Sequence, residues 1–384
     1  MRRLAVLGST GSIGVQALEV AERAPDRIRI AALATGRSLD RLCEQARRVR
    51  PGALALEDSA DPAAARAALE SACPGARIWI GRGAAARLVA EIETEIVLNG
   101  IVGAAGLEAS LAALERGVRL ALANKETLVV GGQLVRELLS RGGGELIPVD
   151  SEHSAALQCL GGRPAPEVSR LTLTASGGAL RNHPDWRRAT REQVLEHPVW
   201  SMGPRITVDS ALLFNKGLEL IEARWLFDLE WNQLEAVLHP QALIHAIVSF
   251  RDGSAVLQAA PADMALPIQL ALSWPERWEA AVTALAPQDL ARLEFAPIEP
   301  GRYPAFDLAV AAGRAGGTAP CVLNAADEVA VKAFLDGALP LARVPEVVGR
   351  VLEEHVVEAV ETVEQLARVD ARARRAAREQ VVRV

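Results

Sequence analysis

The feature that most limits what this chain can fold into is Gly8-Ser9-Thr10-Gly11-Ser12-Ile13-Gly14. It sits between an apolar run, residues 4–7, and an apolar-periodic stretch, residues 13–22. Strand, Gly-rich turn and helix in that order open a doubly wound parallel sheet. The glycines turn tightly, and the helix N-terminus offers N–H groups to a pyrophosphate. The spacing is G-x-x-G-x-x-G rather than the commoner G-x-G-x-x-G, so a plain strand-to-helix turn competes with a nucleotide site. The following residues extend the pattern. Residues 27–34, 53–56, 78–80, 96–98 and 120–123 are further short apolar runs, separated by Ala-rich helical patterns. That alternation predicts parallel strands with helices on both faces.

A site for NAD usually carries Asp or Glu about 20 residues past the glycines, on the ribose 2′-hydroxyl. Here that place holds Gly36-Arg37-Ser38. A guanidinium and a hydroxyl suit a 2′-phosphate, which favours NADP(H). A simple surface charge is the other reading of Arg37.

Composition matters at one point above all. Of 42 basic residues only three are lysines: Lys125, Lys216 and Lys332. Where arginine has taken over surface charge, a retained lysine is a candidate for work that a wide, permanently charged guanidinium cannot do. Lys125 stands in Ala123-Asn124-Lys125-Glu126 after an apolar strand, where ligands of doubly wound sheets gather. Desolvated there, an ammonium can give up a proton or hydrogen-bond a substrate oxygen. Lys332 falls in a helical stretch and receives no role.

Pro148-Val149-Asp150-Ser151-Glu152-His153 ends the next apolar run. Residues i and i+2 of a strand share one face, so Asp150 and Glu152 both look into the pocket, and two such carboxylates bind a hard cation or share a proton. A solvated strand end or a helix N-cap is the alternative. In residues 208–219, Asn215 and Lys216 lie four and three positions before Glu219, one face of a helix. Ser210, Asn215 and Lys216 together offer hydroxyl, amide and ammonium to a phosphate. The small-residue turn Ser176-Gly177-Gly178 can add N–H groups. An ordinary polar helix face and a plain turn are the competing readings. Residues 197–204, from His197 through Trp200 to Gly203 and Pro204, do not continue a helix. Trp200 there is either a lid over a substrate or a core anchor. His239 and His245 flank an apolar run and read as structural.

The net charge of −6 and pI near 5.7 argue against nucleic acid or an anionic membrane as partner. No apolar run approaches the ~18 residues of a spanning helix, and the stretch after Met1-Arg2-Arg3 stops at Gly8, too short for a signal peptide. Cys43, Cys73, Cys159 and Cys321 form no CxxC, which fits a reducing cytoplasm. The expected fold class is α/β: an N-terminal Rossmann-like doubly wound parallel sheet, an α+β catalytic domain and a C-terminal helical bundle. The expected parts are an NADPH-binding domain over 1–149, a catalytic and connective domain over 150–286, a linker over 287–304 and a helical domain over 305–384.

These strings in this order resemble the 1-deoxy-D-xylulose 5-phosphate reductoisomerase family. The likeness rests on residues 8–14 (GSTGSIG), 101–106 (IVGAAG), 123–126 (ANKE), 148–153 (PVDSEH), 176–178 (SGG), 200–203 (WSMG), 215–219 (NKGLE), 221–227 (IEARWLF) and 239–245. Residues 323–328 (LNAADE) carry it into the C-terminal region. Two departures are Ala179-Leu180, where Pro-Phe is usual, and Pro204, where a basic residue is often seen. The resemblance implies NADPH on Thr10, Gly11, Ser12, Ile13, Gly36, Arg37, Ser38, Asn124, Glu126 and Gly203. It implies Mg²⁺ or Mn²⁺ on Asp150, Glu152 and Glu219. Lys125, Ser151 and Glu152 would face the substrate's oxygens, with Ser176, His197, Ser210, Asn215 and Lys216 around its phosphate. The catalytic residues on this reading are Lys125, Asp150, Glu152 and Glu219, with Trp200 on the lid. The implied activity is rearrangement of a ketose phosphate, 1-deoxy-D-xylulose 5-phosphate, by a retro-aldol/aldol course. The cation stabilises an enediolate-like species, and hydride from NADPH then gives 2-C-methyl-D-erythritol 4-phosphate for isoprenoid precursors. A cytoplasmic homodimer with no nucleic-acid or membrane partner completes what the likeness implies.

Overall fold

The computed structural model describes residues 1–383. The chain divides into two compact units. The first is Met1–Thr127 with Val135–Ser154 and Asp263–Thr283; the second is Leu128–Leu134 with Ala155–Ala262 and Ala284–Val384.

The first unit is built on seven strands: β1 (Arg2–Leu7), β2 (Ile28–Thr35), β3 (Ala53–Leu56), β4 (Arg77–Ile80), β5 (Ile96–Asn99), β6 (Arg119–Leu122) and β7 (Glu145–Pro148). They pair in parallel in the order β4-β3-β2-β1-β5-β6-β7. The strands are short and apolar because both faces are covered by helices: Leu4 to Leu7 of β1, Leu54 of β3 and Leu98 of β5 have almost no exposure. Strand order reverses between β1 and β5, and there the carboxyl ends leave the crevice in which ligands of such sheets bind. The turn 8–14 lies at that point. The helix Ala265–Ser273 also belongs here: it packs on the helix Ser12–Arg23, and Arg2 Nη1 donates to the Leu272 carbonyl at 3.2 Å.

The second unit holds a mixed sheet of β8 (Val168–Ala175), β9 (Leu234–Leu238), β10 (Ile244–Phe250), β11 (Ala255–Ala259) and β12 (Ala296–Pro297), in the order β11-β10-β8-β9-β12. Only β8 and β9 run parallel. One face packs Leu171, Leu173, Ala246 and Val248 against Ala155, Ala156 and Cys159 and against Leu220 and Ala223 of the helix Phe214–Phe227. Four helices follow: Pro304–Ala315, Ala319–Leu335, Val344–Glu353 and Val363–Arg383. Residues 287–304, expected as a linker, carry β12, which pairs with β9. His239 and His245 are buried, His239 with its ring accepting from the Ile244 N–H at 3.1 Å. Lys332 is exposed on a surface pair with Asp336. No helix among the described residues is long and apolar enough to cross a membrane.

Candidate functional site

In the first unit the turn after β1 is shaped by backbone contact. Gly8 has φ +73°, and a methyl group on Gly14 would lie 2.4 Å from the Gly8 carbonyl oxygen, so the helix Ser12–Arg23 starts directly on the turn. Its first turn has no acidic residue, and Gly11 at the N-cap supplies no side-chain acceptor. The positive end of the helix is therefore presented to an anion rather than neutralised locally. Thr10 is buried, its hydroxyl 2.5 Å from that of Thr35; Gly11 and Ser12 are exposed and Ile13 is half-buried.

At the end of β2, Gly36, Arg37 and Ser38 are all exposed. The Arg37 guanidinium meets Asp58 at 2.7 Å, an exposed pair worth little in itself. Both line a cleft of about 450 Å³ with Glu57, Ser59, Pro62, Ile80, Gly81 and Arg82. Sequence reasoning passed over Asp58 and Arg82. The available signal was their place just past β3 and β4, the strands that follow β2 in the sheet.

The strings 101–106 and 123–126 interlock. Asn124 caps the helix Lys125–Ser140, its Oδ1 accepting from the Thr127 N–H at 3.0 Å. Its amide nitrogen donates to the Ile101 and Gly103 carbonyls and to Glu126 Oε2, at 2.8, 2.9 and 2.7 Å. Glu126 Oε1 in turn accepts from the Gly103 N–H at 3.0 Å. Lys125, between them, pairs with Asp150, and the two side chains are 12% and 13% exposed.

Asp150 and Glu152 do not share a strand face. β7 ends at Pro148, and a helix, Ser151–Leu160, begins three residues further on. Asp150 sits at the N-terminal end of that helix, its Oδ1 accepting from the Glu152 N–H at 3.2 Å. Glu152 is in the first turn and accepts from the Ser151 hydroxyl at 2.5 Å. Acidic residues favour this end of a helix, and proline cannot donate to a continuing ladder. His153 is fully buried, its Nδ1 3.5 Å from Asp150 Oδ1.

The second unit brings Ser176, His197 and Ser210 together. His197 Nε2 lies 3.2 Å from both hydroxyls, while its Nδ1 accepts from the Val199 and Trp200 N–H groups at 3.1 and 2.8 Å. Two donors on Nδ1 assign the proton to Nε2, which faces the serines as a neutral donor. Burial acts the same way, holding the imidazole below its ordinary value. Gly178 has φ +62°, and a methyl group there would lie 2.6 Å from the Ser210 carbonyl oxygen, so this turn seats directly on the helix Pro204–Ala211. Gly203 is that helix's N-cap and is exposed. Trp200 is half-buried, its ring 6.2 Å from that of His245 and tilted by 58°. On the helix Phe214–Phe227, Asn215 and Lys216 both hydrogen-bond Glu219; Lys216 is 4% and Glu219 1% exposed.

Comparison with known proteins covers nearly the whole chain. The family model described as 1-deoxy-D-xylulose 5-phosphate reductoisomerase matches residues 4–132, and two models of reductoisomerase C-terminal domains match residues 146–227 and 259–376. The Moorella thermoacetica 1-deoxy-D-xylulose 5-phosphate reductoisomerase is 49% identical over 378 residues, 98% of this chain and 97% of that protein. Among solved structures, the Zymomonas mobilis enzyme in complex with NADPH has a TM-score of 0.91 at 35% identity, covering 99% of each chain. A DOX-P reductoisomerase in complex with NADPH, fosmidomycin and magnesium has a TM-score of 0.92 at 33% identity, covering 99% of this chain and 98% of that one. This chain belongs to the 1-deoxy-D-xylulose 5-phosphate reductoisomerase family.

Proposed function

We propose that the protein converts 1-deoxy-D-xylulose 5-phosphate to 2-C-methyl-D-erythritol 4-phosphate with NADPH and a divalent cation, in isoprenoid precursor synthesis. Beyond family membership, the observation that carries this reading is the use of the lysines. In a chain that otherwise uses arginine, two of three lysines are largely buried against carboxylates, Lys125 on Asp150 and Lys216 on Glu219. The test is NADPH oxidation that depends on both the ketose phosphate and a divalent cation. Oxidation without the cation, or with an unphosphorylated ketose equally well, refutes the reading.

Asp150, Glu152 and Glu219 would hold the cation. The donor set fits: three carboxylates with no His or Cys favour Mg²⁺ or Mn²⁺ over zinc. When bound, the cation polarises the substrate's carbonyl and hydroxyl oxygens, and NADPH provides the hydride. Lys125 and Ser151 orient those oxygens, the ammonium by hydrogen bonding beside Asp150. Ser176, His197 Nε2–H, Ser210, Asn215 and Lys216 bind the phosphate, so binding energy is gained away from the reacting carbons. Trp200, on the loop before Gly203, covers the substrate and excludes water. Thr10, Gly11, Ser12 and Ile13 take the pyrophosphate, and Gly36, Arg37 and Ser38 the 2′-phosphate. Asn124, Glu126 and Gly203 complete the cofactor contacts.

On this reading residues 1–149 make most of the cofactor contacts, 150–286 carry most of the chemistry, 287–304 connect them to the C-terminal part through β12, and 305–384 cap the protein. A cytoplasmic homodimer is part of the same proposal. The four buried free cysteines suit a reducing compartment, and β11, an edge strand exposing Val256 and Leu257, offers an edge to a second copy.

Two expected results follow from this assignment. Arg37→Ala raises the NADPH Michaelis constant about tenfold, the worth of a charge-assisted hydrogen bond, and leaves that for NADH unchanged. An unaltered NADPH/NADH preference in steady-state kinetics refutes the Arg37 assignment. His197→Ala raises the Michaelis constant for the sugar phosphate about ten- to a hundredfold with a smaller change in turnover, because a phosphate ligand contributes mainly binding. A fall in turnover at constant Michaelis constant would place the imidazole at the reacting carbons instead.

A further inference from the structure

A buried polar cluster in the second unit lies outside every role assigned so far. The helix Pro204–Ala211 follows the loop 197–203 and carries Ser210. Its Arg205 and Asp209, one turn apart, meet the helix Ala319–Leu335. Arg205 Nη2 donates to Asn324 Oδ1 at 3.2 Å. The guanidinium also lies 3.2 Å from Glu328 Oε1, 3.7 Å from Asp327 Oδ2 and 3.6 Å from Asp209 Oδ2. Asp209 and Asp327, 4% and 1% exposed, are close enough for their carboxyls to act on each other, and two buried like charges favour a proton on one of them. From the helix Val363–Arg383, Arg374 closes the far side on Glu328 at 2.8 Å and Asp370 at 2.7 Å. Two guanidiniums thus face four carboxyls. Burial and the neighbouring Asp209 hold the Asp327 carboxyl well above the usual carboxylate range.

Well-packed apolar side chains would join these helices at no desolvation cost, so adhesion alone does not explain the cluster. Directional polar contacts do something that an apolar contact does not: the Arg205 guanidinium reaches Asn324 and Glu328 at fixed atoms, which favours one register. The register they favour is that of the helix bearing Ser210.

We infer that Arg205, Asp209 and Asp327 are positioning residues for the phosphate side of the site, locking the helix Pro204–Ala211 onto the helix Ala319–Leu335 so that the Ser210 hydroxyl stays on His197 Nε2. The inference rests on the reading of His197 and Ser210 as phosphate ligands.

The test is steady-state kinetics and thermal melting of the full chain carrying Asp327→Ala, Asp327→Asn or Ser210→Ala. Asp327→Ala is expected to raise the Michaelis constant for the sugar phosphate about tenfold, with that for NADPH unchanged. Asp327→Asn, which keeps the shape and the neutrality of a protonated carboxyl, returns it to near the wild-type value. The pH dependence separates the variants further. Unfolded Asp327 loses its proton near pH ~3.9, whereas the folded carboxyl keeps it to higher pH. In that window the folded state binds more protons, and wild-type stability falls as pH rises. Asp327→Asn should lack this fall.

A lowered melting temperature with unchanged Michaelis constants in Asp327→Ala would reduce the cluster to structural adhesion and overturn the inference. Where Asp327→Ala does not fold, Asp327→Asn decides: a tenfold higher Michaelis constant, or the wild-type pH slope, overturns it. Ser210→Ala without effect removes the phosphate reading, and this inference with it. Ser210→Ala raising the Michaelis constant while Asp327→Ala does not overturns the lock alone.

Discussion

Asp150→Asn and Glu219→Gln are each expected to lower turnover by roughly a thousandfold or more while leaving NADPH affinity nearly intact. Each change keeps the size of the side chain and removes one negative charge from a set that otherwise offers a hard cation only oxygen donors. The Lewis-acid contribution of a bound cation is several kcal/mol of transition-state stabilisation, and every 1.36 kcal/mol is a factor of ten in rate. Neither side chain takes part in the turn 8–14 or the cleft around Arg37, so the cofactor keeps its contacts. Excess chelator should abolish turnover and added Mg²⁺ or Mn²⁺ restore it. Full activity in excess chelator, or an equal loss of NADPH affinity in both variants, would remove these carboxylates from the metal site.

The parts of this molecule legible in the sequence are those whose cause is local. Short apolar runs gave the strands of the parallel sheet, because a strand buried on both faces cannot alternate. The scarcity of lysine marked Lys125 and Lys216 before any partner was known. The structure pairs them with Asp150 and Glu219 and leaves Lys332 on the surface. The apolar run before Asp150 and Glu152 points to a strand. Pro148 followed by Asp-Ser-Glu was also a legible helix start, and the helix is what forms. What could not be read depends on partners distant in sequence. Arg205 finds Asn324 across 119 positions, and Arg2 finds Leu272 across 270, and neither helix carries a local mark of its neighbour. The tautomer of His197 is set by two N–H groups of its own loop, a matter of backbone path that residue types do not encode.

Lys216→Met is expected to cost about 3–5 kcal/mol of stability and to abolish turnover. An exposed lysine–glutamate pair three residues apart on a helix would contribute well under 1 kcal/mol. This pair is different because Lys216 is 4% and Glu219 1% exposed, so removing the ammonium takes a counter-ion from a carboxylate that is out of reach of water, while the neutral Asn215 amide stays on it. Methionine matches the straight chain of lysine in bulk and in helix propensity, so neither a cavity nor a weakened helix accounts for the loss. Lys216→Arg should not rescue activity, since a planar guanidinium does not fit where a compact ammonium is enclosed. Adding Glu219→Gln to Lys216→Met removes the charge that has lost its counter-ion and should recover most of the stability, as a double-mutant cycle in denaturant would show. Turnover should stay low in the double variant, because the proposed cation site has lost a carboxylate. If Lys216→Met unfolds at the wild-type denaturant concentration, the pair is not the buried anchor described above. If the double variant regains turnover, Glu219 is not needed for the chemistry.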